Sequence, residues 1–189
     1  MPEDDGLHTR TLLLPGWLNS DAVHWQSRWE AIHGCERVQQ ADWQWPRRGD
    51  WMARLDDVLL EDARPAVLVA HSLGCQLVAS WAAHSQHKTR VQAALLVAPP
   101  DTERDDMPPN LFNWRPIARQ RLPFASLVVS SSNDPYCSAE RGAQMAADWG
   151  SAVTVIGARG HINGESGLGD WPAGWALLQT MTQALKQAT

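Results

Sequence analysis

The chain lacks the features that mark membrane-spanning, secreted or nucleic-acid-binding proteins. No apolar run approaches the roughly 18–20 residues needed to span a bilayer, so no membrane partner is expected. Cysteine is limited to Cys35, Cys75 and Cys137. An odd number without C-x-x-C spacing fits reduced thiols better than a disulfide framework. The N-terminus, Met1-Pro2-Glu3-Asp4-Asp5, is without the basic-then-apolar pattern of a secretory leader. Basic residues are outnumbered, 16 Lys and Arg against 21 Asp and Glu, giving a net charge of -5. Phosphate binding needs a basic face, so nucleic acid is excluded as the main partner. Together these absences predict a cytoplasmic protein. Phe and Tyr are also scarce, at 2 and 1, although Trp reaches 11. An indole is large and its N–H wants an acceptor when buried, which makes many of these residues structural and leaves several as pocket candidates.

What is present reads as one compact domain over residues 1–189. Hydrophobic residues at 44% and charged residues at 20% match soluble globular proteins, so disorder is not expected. Short apolar runs alternate with longer helical patterns, the signature of a parallel α/β sheet. Strands are expected at 11–14, 37–41, 66–70, 93–98, 126–131 and 152–156. Helices are expected at 22–32, 50–63 with Asp50 as N-cap, 74–85, 139–149 and 172–188. Residues 101–123, with Pro108, Pro109, Pro116 and Pro123, break this rhythm. They read as an irregular excursion with one short helix near 110–117, positioned as a small cap.

The chemistry is carried by three loops. The buried strand Val67-Leu68-Val69-Ala70 runs into His71-Ser72-Leu73-Gly74 and directly into a helix of small and apolar residues. This is a strand–nucleophile–helix turn, with G-x-S-x-G relaxed to A-x-S-x-G. The competing reading is that Ser72 caps the helix, which serine does well. A serine hydroxyl needs an adjacent base that is itself oriented by a third group. In α/β-hydrolases these follow in the order Ser, Asp or Glu, then His. Asp134 stands just past the fifth strand and His161 in the loop after the sixth, all at strand C-terminal ends. Asp101, after the fourth strand, is the rival acid, and Asp134 before Pro135 also suits an ordinary turn. His71 abuts Ser72 but diverges from it on a tight turn, so packing or support is its expected role. The oxyanion of acyl transfer needs N–H donors. Leu73 supplies one, and the loop after the first strand supplies Trp17, with Leu18 as the alternative.

Five segments then carry a family resemblance: LLLPGW (12–17), HWQSRWE (24–30), VAHSLG (69–74), NDPYC (133–137) and GHINGESGLGDWP (160–172). Together they resemble the small bacterial serine hydrolases related to the retinoblastoma-binding serine hydrolase of animals, over nearly the whole chain. The resemblance implies a minimal α/β-hydrolase fold: six parallel strands in the order 2-1-3-4-5-6, with helices on both faces. It also implies a triad of Ser72, Asp134 and His161, and activity on carboxylic esters or related acyl compounds without a metal or organic cofactor. The substrate is expected to be a small acyl or aromatic ester; a protein partner is not specified.

His24, Trp25, Trp114 and Trp171 are pocket-wall candidates by position, core packing being the commoner outcome for Trp25. Two readings compete with esterase chemistry. His84 and His87, at i and i+3, lack a third ligand at metal spacing and read better as a solvated helix end. A protein-binding module that kept the fold without turnover is the other.

Overall fold

The computed structural model describes residues 9–187. The acidic residues 1–5, and Ala188 at the expected end of the last helix, lie outside the described residues. Along the chain the elements are β1 (Arg10–Leu14), α1 (Trp25–His33), β2 (Glu36–Arg37), α2 (Arg48–Glu61), β3 (Ala66–His71) and α3 (Leu73–His84). They continue with β4 (Val91–Val97), β5 (Ala125–Ser130), α4 (Ala139–Trp149), β6 (Ala152–Val155) and α5 (Pro172–Gln187). The strands form one sheet in the order β2-β1-β3-β4-β5-β6, every pairing parallel. This is the α/β-hydrolase topology that the resemblance implies.

Strand side chains alternate between two cores, which explains why the central strands are apolar without a break. Leu12, Leu14, Leu68, Ala70, Leu96 and Val128 pack with Leu55 and Leu59 of α2, Trp81 of α3 and Trp149 of α4. Leu13, Val67, Val69, Leu95, Val97 and Val129 face the other way, against Trp25 and Trp29 of α1 and Leu178 of α5. All six residues of β3 are buried, so the strand leading to Ser72 is gripped on both faces.

Three elements differ from the sequence reading, each for a local reason. The helix expected from residue 22 begins at Trp25, because the Asp21 carboxylate accepts the Val23 and His24 amides in a turn of its own. His24 then serves as N-cap, its Nδ1 accepting the Gln26 N–H. The second strand is two residues long rather than five. The Val38 amide still bonds Leu13, but the polar run from Gln39 to Asp42 has nothing to bury at this sheet edge. Asp50 is not the cap of α2; the helix starts at Arg48 and Asp50 lies in its first turn, where a carboxylate complements the helix dipole. The excursion contains one short 3₁₀ helix, Pro109–Trp114.

The tryptophans are mostly core. Trp25, Trp29, Trp51, Trp81, Trp114 and Trp149 are fully buried. Each indole N–H has an acceptor: Ile162, Asp170, Asp42, Pro46 and Ala118 carbonyls for Trp25, Trp29, Trp51, Trp114 and Trp149, and the Asp56 carboxylate for Trp81. Each ring thus fills the core while tying down a segment outside the sheet.

Candidate active site

Between the last residue of β3 and the first of α3 stands Ser72 alone. Its φ of 54° and ψ of -124° lie in a region that L side chains rarely adopt. A sharp strand-to-helix turn forces this conformation and lifts the side chain clear of the sheet. Ser72 does not cap α3: its hydroxyl makes no bond to the helix amides. Instead Oγ lies 2.8 Å from His161 Nε2. The turn is possible because its neighbours have no side chain in the way. A Cβ on Gly74 would lie 3.0 Å from the Leu14 carbonyl carbon and closer still to its oxygen. A Cβ on Gly16 would lie 2.8 Å from Ser72 Cβ and 3.1 Å from the Leu73 amide nitrogen. The loop after β1 therefore packs directly on the turn.

His161 Nδ1 sits 3.0 Å from both carboxylate oxygens of Asp134. An ionised carboxylate only accepts, so Nδ1 carries the proton and Nε2 presents a lone pair to the Ser72 hydroxyl. The Asp134 side chain is 3% exposed and its Oδ1 also accepts the Tyr136 amide, which fixes the acid in place. Asp101 is elsewhere: it pairs with Arg141 at 3.3 Å and caps the Glu103 amide. Of the two acids considered, Asp134 is the one beside His161.

The loop carrying His161 is tied down at successive residues. Ser131 Oγ accepts the Arg159 amide and Asn133 Oδ1 accepts the Gly160 amide at 2.7 Å. His71 Nε2 donates to the His161 carbonyl at 2.9 Å, and Trp25 donates to the Ile162 carbonyl at 2.8 Å. His71 thus supports the site rather than reacting in it. Burial holds the His71 ring neutral, well below the usual histidine range, aided by His24 and His161 nearby. Burial likewise lowers His24 to about 4; Asp21 opposes the shift, and Arg37 and His161 add to it.

Ser72 opens into a cleft of about 610 Å³. Trp17, Leu18, Pro100, Met107, Leu111 and Tyr136 supply much of its lining, and Asn19, Asp21, Asn163 and Glu165 its polar part. Of the four expected wall residues, only His24 reaches it. Trp25 and Trp171 pack on each other and on Trp29 inside one core, and Trp114 is closed in the other by Trp51. Burial serves these rings as core fillers, and the Trp25 and Trp114 N–H groups are satisfied there by the Ile162 and Pro46 carbonyls. Tyr136 was missed; its ring stands edge-on to His161 at 4.6 Å. Met107 and Leu111, also missed, come from the irregular excursion and wall the cleft. The Leu18 amide is committed to the Trp43 carbonyl at 3.1 Å. Among the described residues no acceptor is seen for the Trp17 amide, and the Leu73 amide, first in α3, has no partner within its helix.

His84 and His87 bind the Ser80 carbonyl and the Asp56 carboxylate separately, so they do not converge. Among the described residues no helix is long and apolar enough to cross a membrane.

Known proteins agree with this layout. A YdeN-like hydrolase, so described, from Pectobacterium atrosepticum superposes with a TM-score of 0.83 at 28% identity, covering 94% of this chain and 92% of its own. The ydeN gene product of Bacillus subtilis gives 0.71 at 17% identity over 93% of this chain and 100% of its own. The Bacillus cereus carboxylesterase gives 0.59 at 18% identity, over 90% and 88%. No curated protein sequence matches the chain. The family model for serine hydrolases matches residues 11–180, which include Ser72, Asp134 and His161. The chain belongs to the serine hydrolase family.

Proposed function

We propose that the protein is a carboxylesterase-type hydrolase acting through a Ser72-His161-Asp134 triad and an acyl-enzyme. The observation that carries this reading is the continuous hydrogen-bond chain from Ser72 Oγ to His161 at 2.8 Å and on to Asp134 at 3.0 Å. His161 takes the hydroxyl proton as Ser72 Oγ attacks the acyl carbonyl carbon, while Asp134 stabilises the imidazolium. The carbonyl oxygen becomes an oxyanion facing the Trp17 and Leu73 amides. The tetrahedral intermediate collapses, the C–O bond breaks, and His161 delivers its proton to the departing alkoxide. Water then repeats the sequence on the acyl-Ser72 ester, releasing the carboxylic acid and restoring the hydroxyl. No step calls for a cofactor.

The cleft supports small acyl or aromatic esters, with Leu18, Met107, Leu111 and Pro100 as apolar walls and no Lys or Arg in its lining. Acidic net charge and three buried, unpaired cysteines support action in the cytoplasm on a small molecule. A fluorophosphonate probe with and without Ser72→Ala tests the mechanism. The expected result is labelling of the wild type alone, with p-nitrophenyl ester turnover reduced by several orders of magnitude in the variant. An unlabelled wild type, or equal labelling of both, overturns the triad. Labelling without turnover of esters of any chain length overturns the substrate class.

A further inference from the structure

Beyond the triad, two buried histidines have their protons fixed by three contacts. The Gln26 N–H donates to His24 Nδ1 at 3.0 Å, so that nitrogen is bare. His71 Nε2 lies 2.9 Å from the His161 carbonyl oxygen, which can only accept, so this nitrogen carries a proton. Between the rings, His24 Nε2 and His71 Nδ1 are 3.3 Å apart. With Nδ1 bare, a neutral His24 carries its proton on Nε2 and donates it to the bare Nδ1 of His71. One proton arrangement satisfies all three contacts. A second proton on either ring would set N–H against N–H, so both rings must stay neutral.

The far end of this chain meets a strained segment. Gly160 and Ile162, on either side of His161, have φ of 56° and 50°. For a β-branched residue such as Ile162 this is an outlier that persists only where surrounding contacts hold it. Asn133 and Trp25 hold residues 160 and 162. Among the described residues, His71 is the one gripping the backbone of residue 161 itself, and its ring also stands 4.9 Å from the His161 ring. Both His24 and His71 are nearly solvent-free, yet both border the cleft.

We propose that His24 and His71 form a neutral hydrogen-bond relay, anchored at the N-terminus of α1, that holds the His161 carbonyl and so keeps the base ring in line with Ser72. They are positioning residues: neither exchanges a proton with substrate. The proposal rests on the triad reading above. Packing alone does not need this geometry, because a leucine in place of His71 would fill the space equally well. A glutamine can donate from its amide to the His161 carbonyl and accept the His24 proton on its amide oxygen.

The test compares His71→Leu, His71→Gln and Ser72→Ala by ester kinetics, with circular dichroism to establish folding. Misplacing a reacting group by about 1 Å costs on the order of a hundredfold in rate. The relay therefore requires His71→Leu to lower kcat about a hundredfold with KM little changed, and His71→Gln to recover most of that loss. Equal losses in the two variants, or none in His71→Leu, overturn the relay. Full activity in Ser72→Ala instead overturns the triad reading. Should His71→Leu not fold, nitrogen-15 NMR of the wild type reads the tautomers directly. Neutral Nε2–H forms of both His24 and His71 at pH 7 support the relay, and an Nδ1–H form of either ring refutes it.

Discussion

Acid should weaken this fold through His24, whose ring is neutral in the folded protein well below the ordinary histidine range. The ring is 4% exposed and its conjugate acid is suppressed by burial to about 4, from an ordinary value of 6.5. Because the folded value is the lower one, the neutral ring stabilises the fold fully above the unfolded value, and that contribution falls away as pH drops from 6.5 toward 4. At pH 5 nearly every unfolded molecule has taken up this proton and about nine-tenths of folded molecules have not. Integrating the difference from pH 7 to pH 5 gives a loss of about 2 kcal/mol, rising to about 3 kcal/mol below pH 4. Against a typical domain stability of about 5–15 kcal/mol, that is a large fraction. Urea unfolding of wild type and His24→Asn at pH 7, 6 and 5 measures it. Asparagine keeps an N-cap acceptor for Gln26 and does not titrate. His71, lowered mainly by its own burial and next by His24, remains in both proteins, so the difference reports His24 together with its effect on His71. Wild type should lose about 2 kcal/mol more than the variant between pH 7 and 5. Parallel losses would refute the reasoning.

Two further comparisons separate fold from chemistry. Gly74→Ala drives a Cβ into the Leu14 backbone, 3.0 Å from its carbonyl carbon, and should cost about 3 kcal/mol, read as a lower urea midpoint at unchanged m-value. Gly16→Ala meets Ser72 Cβ and the Leu73 amide instead; it should lower kcat about a hundredfold with a smaller change in stability. Asp134→Asn should lower kcat by about 10⁴ by releasing the His161 tautomer. Asp101→Asn, which loses only an Arg141 pair and a turn, should leave turnover near wild type.

The convergence of Ser72, Asp134 and His161 was legible from sequence because residue type, order and position after a strand are all one-dimensional facts. The strand order came from resemblance, and the apolar runs agree with it because burial on both faces demands continuity. What the sequence could not tell was which side of an apolar residue meets solvent. Trp25, Trp114 and Trp171 have the composition of a pocket wall, yet their place is decided by contacts between residues far apart in the chain, Trp171 with Trp25 and Trp29, and Trp114 with Trp51. Met107 and Leu111 lie in an excursion with no periodicity to orient them. Tyr136 carried a usable signal, being the sole tyrosine and two residues past the acid. The His24–His71 contact joins residues 47 apart, and its only local hint was a histidine where an N-cap serine or aspartate is usual.

The surplus of tryptophan over phenylalanine acquires a meaning from the six buried indoles. Phenylalanine is smaller and has no N–H, so each replacement would loosen the core and, at every position but Trp81, whose N–H meets Asp56 within α2, unmoor a loop. Loop order in this protein is therefore coupled to the integrity of its interior. The segments near Asp42, Pro46, Ala118, Ile162 and Asp170 are not free to open by small local fluctuations, as loops commonly are. Amide hydrogen exchange around the His161 loop should accordingly follow the slow global opening of the core. The same ties that hold His161 beside Ser72 should make the rim of this cleft one of the last parts of the molecule to loosen.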